Sequence, residues 1–207
     1  MTVNNPTKHI DRRIVRTRRA IHLAFIELLT ETDYEKITIT ALAKKANIDR
    51  KTFYMHYSSI DKLFEDVIRQ QTKRSLEGLM LSDLLNNPSR FVKKYLYAIQ
   101  AAVPLSQDQH ANLLGHIPMH KFMHYGTAIA RERIFSTNEN LSVEAKHYIN
   151  VIVEFYLGGI FHAYALWLSG KTELTLDEVI ELISINAAEG LAGLMEQKIL
   201  PLDYDKN

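Results

Sequence analysis

Residues 38–63 read TITALAKKANIDRKTFYMHYSSIDKL and decide the fold of this chain. The pattern predicts two short helices joined by a tight turn, followed by the start of a third helix. Thr38 precedes apolar residues at helical spacing and can cap the first helix, and Asp49 can cap the second. Between them, Asn47 tolerates the left-handed conformation that a sharp turn needs, and Ile48 supplies a buried apolar contact. This is the pattern of a helix-turn-helix.

The second helix of this unit combines a core face with a face suited to DNA. Phe53 and Tyr57 lie four residues apart, so both are expected to point into a core. The remaining side chains are cationic, hydroxylated or aromatic, which are the types that contact phosphates and base edges. The residues predicted to contact DNA are Thr38, Thr40, Arg50, Lys51, Thr52, Tyr54, His56 and Lys62. For Tyr54, the alternative is an ordinary buried aromatic side chain.

The stretch resembles the TetR family of bacterial transcriptional regulators. The resemblance is carried by Ile37-Thr38-Ile39, Leu42-Ala43, Ala46-Asn47-Ile48, Thr52-Phe53-Tyr54-Met55-His56-Tyr57 and Lys62-Leu63. In that family the positions matching Thr52, Tyr54 and His56 commonly touch DNA, and the position matching Lys62 commonly meets a phosphate. The resemblance implies these roles here. Asp33, Asp49 and Lys51 stand where the family usually has Gly, Ser and Gly, and the added charge of Lys51 bears on sequence preference.

Charge is divided unevenly along the chain. Residues 1–75 hold 15 Lys and Arg against 9 Asp and Glu, and residues 76–207 hold 10 against 15, although the whole chain carries only +1. Cationic side chains near a helix-turn-helix displace counterions from a duplex, and an acidic remainder is repelled by it. The arginine run Arg12, Arg13, Arg16, Arg18 and Arg19 is therefore expected to contact phosphates; the alternative is a solvated helix face.

Composition fits a small domain joined to a larger helical one. The chain has 207 residues, 46% of them apolar, and no cysteine, which excludes disulfides and thiolate metal sites and is compatible with a cytoplasmic protein. The charge-free stretch from Phe155 to Gly170 is shorter than the roughly 18 residues that span a bilayer. The predicted fold is all-α, with a three-helix DNA-binding domain at 1–60 and a larger helical domain for ligand binding and dimerisation at 61–207.

Helix boundaries follow from apolar spacing, caps and breakers. Besides the helix-turn-helix, the sequence predicts helices at about Val15–Glu31, Ile60–Met80, Ser89–Val103, one or two within 106–136 interrupted near Gly115–Pro118, Val143–Leu168, and from Thr175 to about Lys198.

The last two helices favour a homodimer. Apolar residues spread widely around the first of them, and a line of small residues in the second allows close helix approach. The predicted dimer interface is Phe161, Tyr164, Ala187, Gly190, Leu191, Gly193 and Leu194. Packing within one chain is the alternative.

An effector cavity is expected between the helix that begins near Ile60 and the long helix of residues 143–168. Aromatic and polar side chains are mixed there, as in many ligand sites. The residues predicted to bind an effector are Tyr95, His120, His124, Tyr125, Glu154, Phe155 and His162. An aromatic or cationic compound would suit Glu154; the alternative is that Glu154 faces solvent and the aromatic side chains are core.

Histidines offer the one alternative chemistry. His116, His120 and His124 are spaced by four residues, and further ligands would have to come from His110, His147, Glu154 or His162. Neither a catalytic motif nor a phosphate loop is present, so we expect no enzyme, no metal and no cofactor.

The expected function is a DNA-binding repressor that leaves a pseudo-palindromic operator when a small molecule binds; an activator that works through a partner protein is the alternative within this class.

Overall fold

The computed structural model describes residues 12–102, 105–138 and 140–196, and within these ranges the chain is helical throughout. The elements in chain order are α1 Arg12–Glu31, a 3-10 turn Tyr34–Lys36, α2 Ile39–Lys45, α3 Arg50–His56, α4 Ile60–Ser75, α5 Leu81–Asn86, α6 Pro88–Ala102, α7 Gln107–His116, α8 Met119–Thr137, α9 Val143–Leu168 and α10 Leu176–Glu196. The all-α class and the helix-turn-helix at α2–α3 are confirmed.

The helix-turn-helix is held by the local interactions that its sequence predicts. The Thr38 hydroxyl accepts a hydrogen bond from the Ala41 amide at 3.1 Å, and the Asp49 carboxylate accepts one from the Thr52 amide at 2.6 Å. Asn47 adopts the left-handed conformation with φ of 52°. Each cap satisfies an amide that would otherwise lack a partner in the first turn.

The prediction for α4 was wrong at its end. The helix stops at Ser75 rather than near Met80, because Gly78 takes a positive φ of 70° that turns the chain. A short helix that was not predicted, α5, follows this turn, and at its start the Asp83 carboxylate accepts a hydrogen bond from the Met80 amide. Leu76 and Leu79 continue the apolar spacing past Ser75, but they are buried in the turn between the two helices.

Two apolar cores share the molecule. One joins α1, α2, α3 and α4 around Phe25, Phe53 and Phe64, and the other joins α5, α6, α9 and α10 with part of α8. Leu63 and Phe64 of α4 are fully buried in the first core. The predicted domain division at residue 60 therefore falls just before a helix that completes the core of the helix-turn-helix.

The longest helix, α9, is long and apolar enough in composition to span a membrane, with a mean hydropathy of 1.5. The apolar composition of α9 is explained by its packing inside the protein. Ile149, Val153, Ile160 and Tyr164 are buried against neighbouring helices, and Ser142 caps its start, as predicted, by accepting from the Ala145 amide.

Candidate DNA-binding surface and effector cavity

The recognition helix α3 presents one continuous exposed face. Phe53 is fully buried and Tyr57, just past the helix, is 5% exposed, so these two aromatic side chains fix α3 on the core. The opposite side carries Arg50, Lys51 and Tyr54 into solvent. Because Tyr54 is 50% exposed, the alternative of a buried aromatic is excluded.

The other predicted DNA contacts surround this face. Thr38, Thr40 and Lys62 are exposed, and Thr52 and His56 are half-buried. The Lys62 ammonium lies 2.9 Å from the Glu65 carboxylate, so a phosphate would compete with a neighbour on the same helix. Burial, with a smaller effect of the Arg18 charge, lowers the pKa of His56. This shift favours the uncharged imidazole, which can still exchange a hydrogen bond with DNA.

Met55 is exposed on α3 but is not among the residues predicted to contact DNA. Its side chain is 77% exposed, the largest exposed fraction among the bulky apolar residues that the structure describes. It follows Lys51 by four residues and so shares the exposed face of α3. An apolar side chain at this position can contact a thymine methyl group, and the helical spacing alone would have identified it.

Arg18, one of the arginines predicted to contact phosphates, has hydrogen-bond partners within the chain. Its guanidinium donates to the Asp66 carboxylate at 2.7 Å and to the Tyr57 hydroxyl at 3.2 Å. The buried His22 ring lies 2.7 Å from the same hydroxyl and 2.9 Å from the same carboxylate. This network of four side chains ties α1, the end of α3 and α4 together.

A cavity of about 100 Å³ lies between α4 and α9, where an effector site was expected. Its walls also include α1, α6, α7 and α8. Five of its lining side chains, Ile26, Leu29, Phe64, Val67 and Ile68, also belong to the core of the helix-turn-helix. The cavity therefore shares a wall with the core that supports the helix-turn-helix.

Of the residues predicted to bind an effector, only Tyr95 lines this cavity. The other predicted positions are corrected: His120, His124, Glu154, Phe155 and His162 are exposed, and Tyr125 packs against the DNA-binding core instead. Glu154 pairs with Arg131 and accepts from Thr127, so it is stabilised at the surface. From α8 and α9 the cavity is lined instead by Phe122, Phe161 and Tyr164.

The predicted dimer interface also needs correction. Phe161 and Tyr164 are 3% and 1% exposed and line the cavity, and Ala187 is 1% exposed in the core of its own chain. A Cβ added at Gly190 would lie 2.6 Å from the Tyr156 hydroxyl, so this glycine accommodates packing within the chain. A Cβ at Gly193 would meet nothing within 4 Å. The side chains of Leu191 and Leu194 lie outside the described residues.

A different part of α9 and α10 is apolar and exposed. Val151 and Phe155 of α9 are 69% and 68% exposed, and Leu182 and Ile185 of α10 are 58% and 54% exposed. Leu166 continues the α9 row toward its carboxyl end. We call Val151, Phe155, Leu166, Leu182 and Ile185 the outer stripe.

Ion pairs connect the body to the DNA-binding half. The Lys121 ammonium of α8 lies 2.7 Å from the Asp61 carboxylate of α4, which also accepts from the Tyr34 hydroxyl at 2.5 Å. His116 of α7 hydrogen-bonds the Leu29 carbonyl at 2.9 Å. Among the described residues, no group of three His, Cys, Asp or Glu side chains is arranged to hold a metal ion.

Comparison with known proteins finds a family whose model is similar to the helix-turn-helix segment. Residues 23–67 match the model of the bacterial regulatory proteins of the tetR family. The uncharacterized HTH-type transcriptional regulator YxbF of Bacillus subtilis (strain 168) is 39% identical over 88 residues, which are 42% of this chain and 22% of that protein.

Two solved structures resemble most of the chain. A TetR transcriptional regulator from Rhodococcus sp. RHA1 superposes with a TM-score of 0.55 at 15% identity, covering 87% of this chain and 97% of that one. Native NalD, the secondary repressor of the MexAB-OprM multidrug efflux pump in Pseudomonas aeruginosa, superposes with a TM-score of 0.51 at 17% identity, covering 86% of this chain and 97% of that one. At these identities the likeness establishes the fold.

Proposed function

We propose that this chain, whose residues 23–67 match the model of the tetR family of bacterial regulatory proteins, belongs to that family and is a transcriptional repressor that a small molecule releases from DNA. The observation that carries the proposal is the shared wall. Ile26, Leu29, Phe64, Val67 and Ile68 face the cavity and also pack the core beneath the recognition helix. A molecule that changes the position of α1 or α4 therefore changes the support of α3.

DNA binding rests on the exposed face of α3. Arg50 and Lys51 supply charge, and Tyr54 and Met55 supply surfaces that distinguish base edges. A single short recognition helix contacts few base pairs, so two copies on successive major grooves, about 34 Å apart, are needed for specific affinity.

We infer that the second copy packs against the outer stripe. Large apolar side chains that are more than half exposed, such as Phe155 and Leu182, favour burial against a partner. A two-fold axis beside α9 and α10 would bring two such stripes together and build a four-helix interface. Effector binding then shifts the population of dimers toward a conformation in which the spacing of the two recognition helices does not match the operator.

DNA binding is tested by selecting duplexes from a random pool and measuring affinity against salt concentration. We expect a pseudo-palindromic sequence to be enriched and affinity to fall steeply with salt. Lys51→Ala should reduce the slope of log K against log salt by about 1, whereas Lys94→Ala, an exposed lysine on α6, should leave it unchanged. Failure to enrich any sequence would contradict DNA recognition.

The link between cavity and DNA is tested by filling the cavity from inside. Leu114 lines it from α7, away from the DNA-binding core. Leu114→Trp adds bulk that stands in for an effector and should weaken operator binding about tenfold or more. Tyr97→Trp, at an exposed position of α6, is the control. Unchanged operator affinity in folded Leu114→Trp protein would contradict the proposed coupling.

A further inference from the structure

Three polar atoms in the wall of the effector cavity have no hydrogen-bond partner among the described residues. They are the His110 Nε2, the Tyr164 hydroxyl and the Gln71 Oε1. His110 is 6% exposed and Tyr164 is 1% exposed. Buried polar atoms in native proteins are nearly always hydrogen-bonded, so three of them around one cavity indicate a ligand with matching groups.

The chemistry of His110 determines what it can bind. Its Nδ1 lies 3.1 Å from the Ser106 carbonyl oxygen, which can only accept a hydrogen bond. Nδ1 must therefore carry a proton. In the uncharged ring the other nitrogen, Nε2, is then an acceptor. The ligand must donate a hydrogen bond to it.

Tyr164 and Gln71 complete the pattern. Burial raises the pKa of Tyr164 to about 12, so its hydroxyl keeps its proton and can donate to an acceptor on the ligand. The carbonyl oxygen of the Gln71 side chain requires a second donor. The described wall therefore calls for two donors and one acceptor on the same molecule.

The wall also excludes charge. Among the described residues that line the cavity there is no Asp, Glu, Lys or Arg. A charged ligand would lose its hydration without gaining an opposite charge, and this costs several kcal/mol. The volume of about 100 Å³ is somewhat smaller than a cavity of roughly 150 Å³ that accommodates benzene, so a single-ring ligand has to push the wall of the cavity outward.

We propose that the cavity binds a neutral molecule the size of a single ring, whose polar end donates to His110 and Gln71 and accepts from Tyr164. A primary carboxamide on an apolar ring is the simplest such arrangement. The inference rests on the proposed effector function, because it specifies the ligand of that same cavity. It differs from the cationic compound that Glu154 suggested, since Glu154 lies at the surface.

Three compounds of the same shape separate the possibilities. Benzamide is neutral and has two N–H donors and one acceptor, benzoate is an anion without donors, and benzamidine is a cation without an acceptor. Isothermal titration of the full chain should show benzamide binding at least about tenfold more tightly than benzoate or benzamidine. Equal or tighter binding of either charged compound, or no binding of benzamide, would overturn the proposal.

Two variants connect selectivity to the wall. Tyr164→Phe should weaken benzamide binding about tenfold, because the carbonyl of the bound compound loses its donor. Tyr156→Phe is the matched control, since Tyr156 is also a buried tyrosine of α9 but does not line this cavity. His110→Phe should weaken benzamide binding by a similar factor. Equal affinity of wild type and Tyr164→Phe for benzamide would overturn the assignment of the donor.

A parallel measurement of operator binding keeps the two proposals apart. Selective benzamide binding that leaves operator affinity unchanged would support the ligand class and contradict the proposed release from DNA. Release from DNA by benzoate or benzamidine but not by benzamide would support regulation and overturn the ligand class.

Discussion

Replacing Asp66 with Ala removes an acceptor that three side chains share. The Asp66 Oδ2 accepts from the Tyr57 hydroxyl at 2.6 Å and from Arg18 at 2.7 Å, and it lies 2.9 Å from the His22 Nε2. Arg18 and His22 belong to α1, Asp66 belongs to α4, and Tyr57 ends the recognition helix. The substitution therefore removes the hydrogen bonds by which α4 holds α1 and the end of α3.

The size of the effect follows from burial. Tyr57 and His22 are 5% and 8% exposed, so each lost partner costs about 1–1.5 kcal/mol. The Arg18 side chain is 44% exposed, so its ion pair adds only about 0–1 kcal/mol. We expect Asp66→Ala to lower the free energy of unfolding by about 3 kcal/mol, which is about 6–12 °C in Tm for a chain of this length.

Urea and thermal unfolding at pH 7 measure this loss. The matched control is Glu132→Ala, which removes an exposed carboxylate 2.9 Å from Arg69 and should cost no more than about 1 kcal/mol. Operator affinity should fall for Asp66→Ala, because Tyr57 no longer anchors the end of α3. A loss of stability no larger than that of Glu132→Ala would refute the assignment of Asp66 as the centre of the network.

Three further expectations concern separate features. Burial, partly offset by Asp66, lowers the pKa of His22 below 6.5. The stability that uncharged His22 contributes is therefore complete above pH 6.5 and is lost as pH falls through the folded-state pKa. His22→Gln should flatten this decline between about pH 7 and 5 in urea titrations, and an undiminished decline would contradict the role of His22. Phe155→Glu or Leu182→Glu should give monomers in equilibrium sedimentation, whereas Leu23→Glu, at an exposed position of α1, should not. If both outer-stripe variants stay dimeric, the interface lies elsewhere. Asn47→Ala should lower the free energy of unfolding by about 1 kcal/mol in urea unfolding, and Asn47→Gly should have little effect, because only the turn's positive φ distinguishes them; equal losses would contradict this.

The helix-turn-helix was predictable because its determinants are local. Thr38, Asn47 and Asp49 act on backbone groups within three residues of themselves. The buried side chains Phe53 and Tyr57 follow from the helical period alone. Such features depend little on the rest of the chain, and the structure confirms all five.

The end of α4 was less predictable because two signals conflict there. Leu76 and Leu79 preserve the apolar spacing of the helix, and Gly78 interrupts it. Apolar spacing shows that a residue is buried, but a leucine in a turn between two helices is buried as well. The positive φ of Gly78 decides the outcome, and glycine adopts it without steric cost.

The cavity residues were the least predictable because α9 is apolar on several sides. Phe155 and Phe161 have the same chemistry, yet one is 68% exposed and the other is 3% exposed. The sequence shows that such a helix has more than one apolar contact, but which side meets α4 depends on how distant segments pack. For the same reason Tyr164 was expected between two chains and lies in the cavity wall of one.

The shared wall between cavity and helix-turn-helix also limits how this protein can evolve. A substitution at Phe64 or Ile68 that suits a new ligand alters the packing under the recognition helix at the same time. Substitutions at Ile99, Ala102 or Leu114 that keep the side-chain volume change the chemistry of the opposite wall without touching that core. New ligand preferences should therefore accumulate on α6 and α7 while α1 and α4 stay unchanged, and a library built to convert this protein into a biosensor should vary those two helices first.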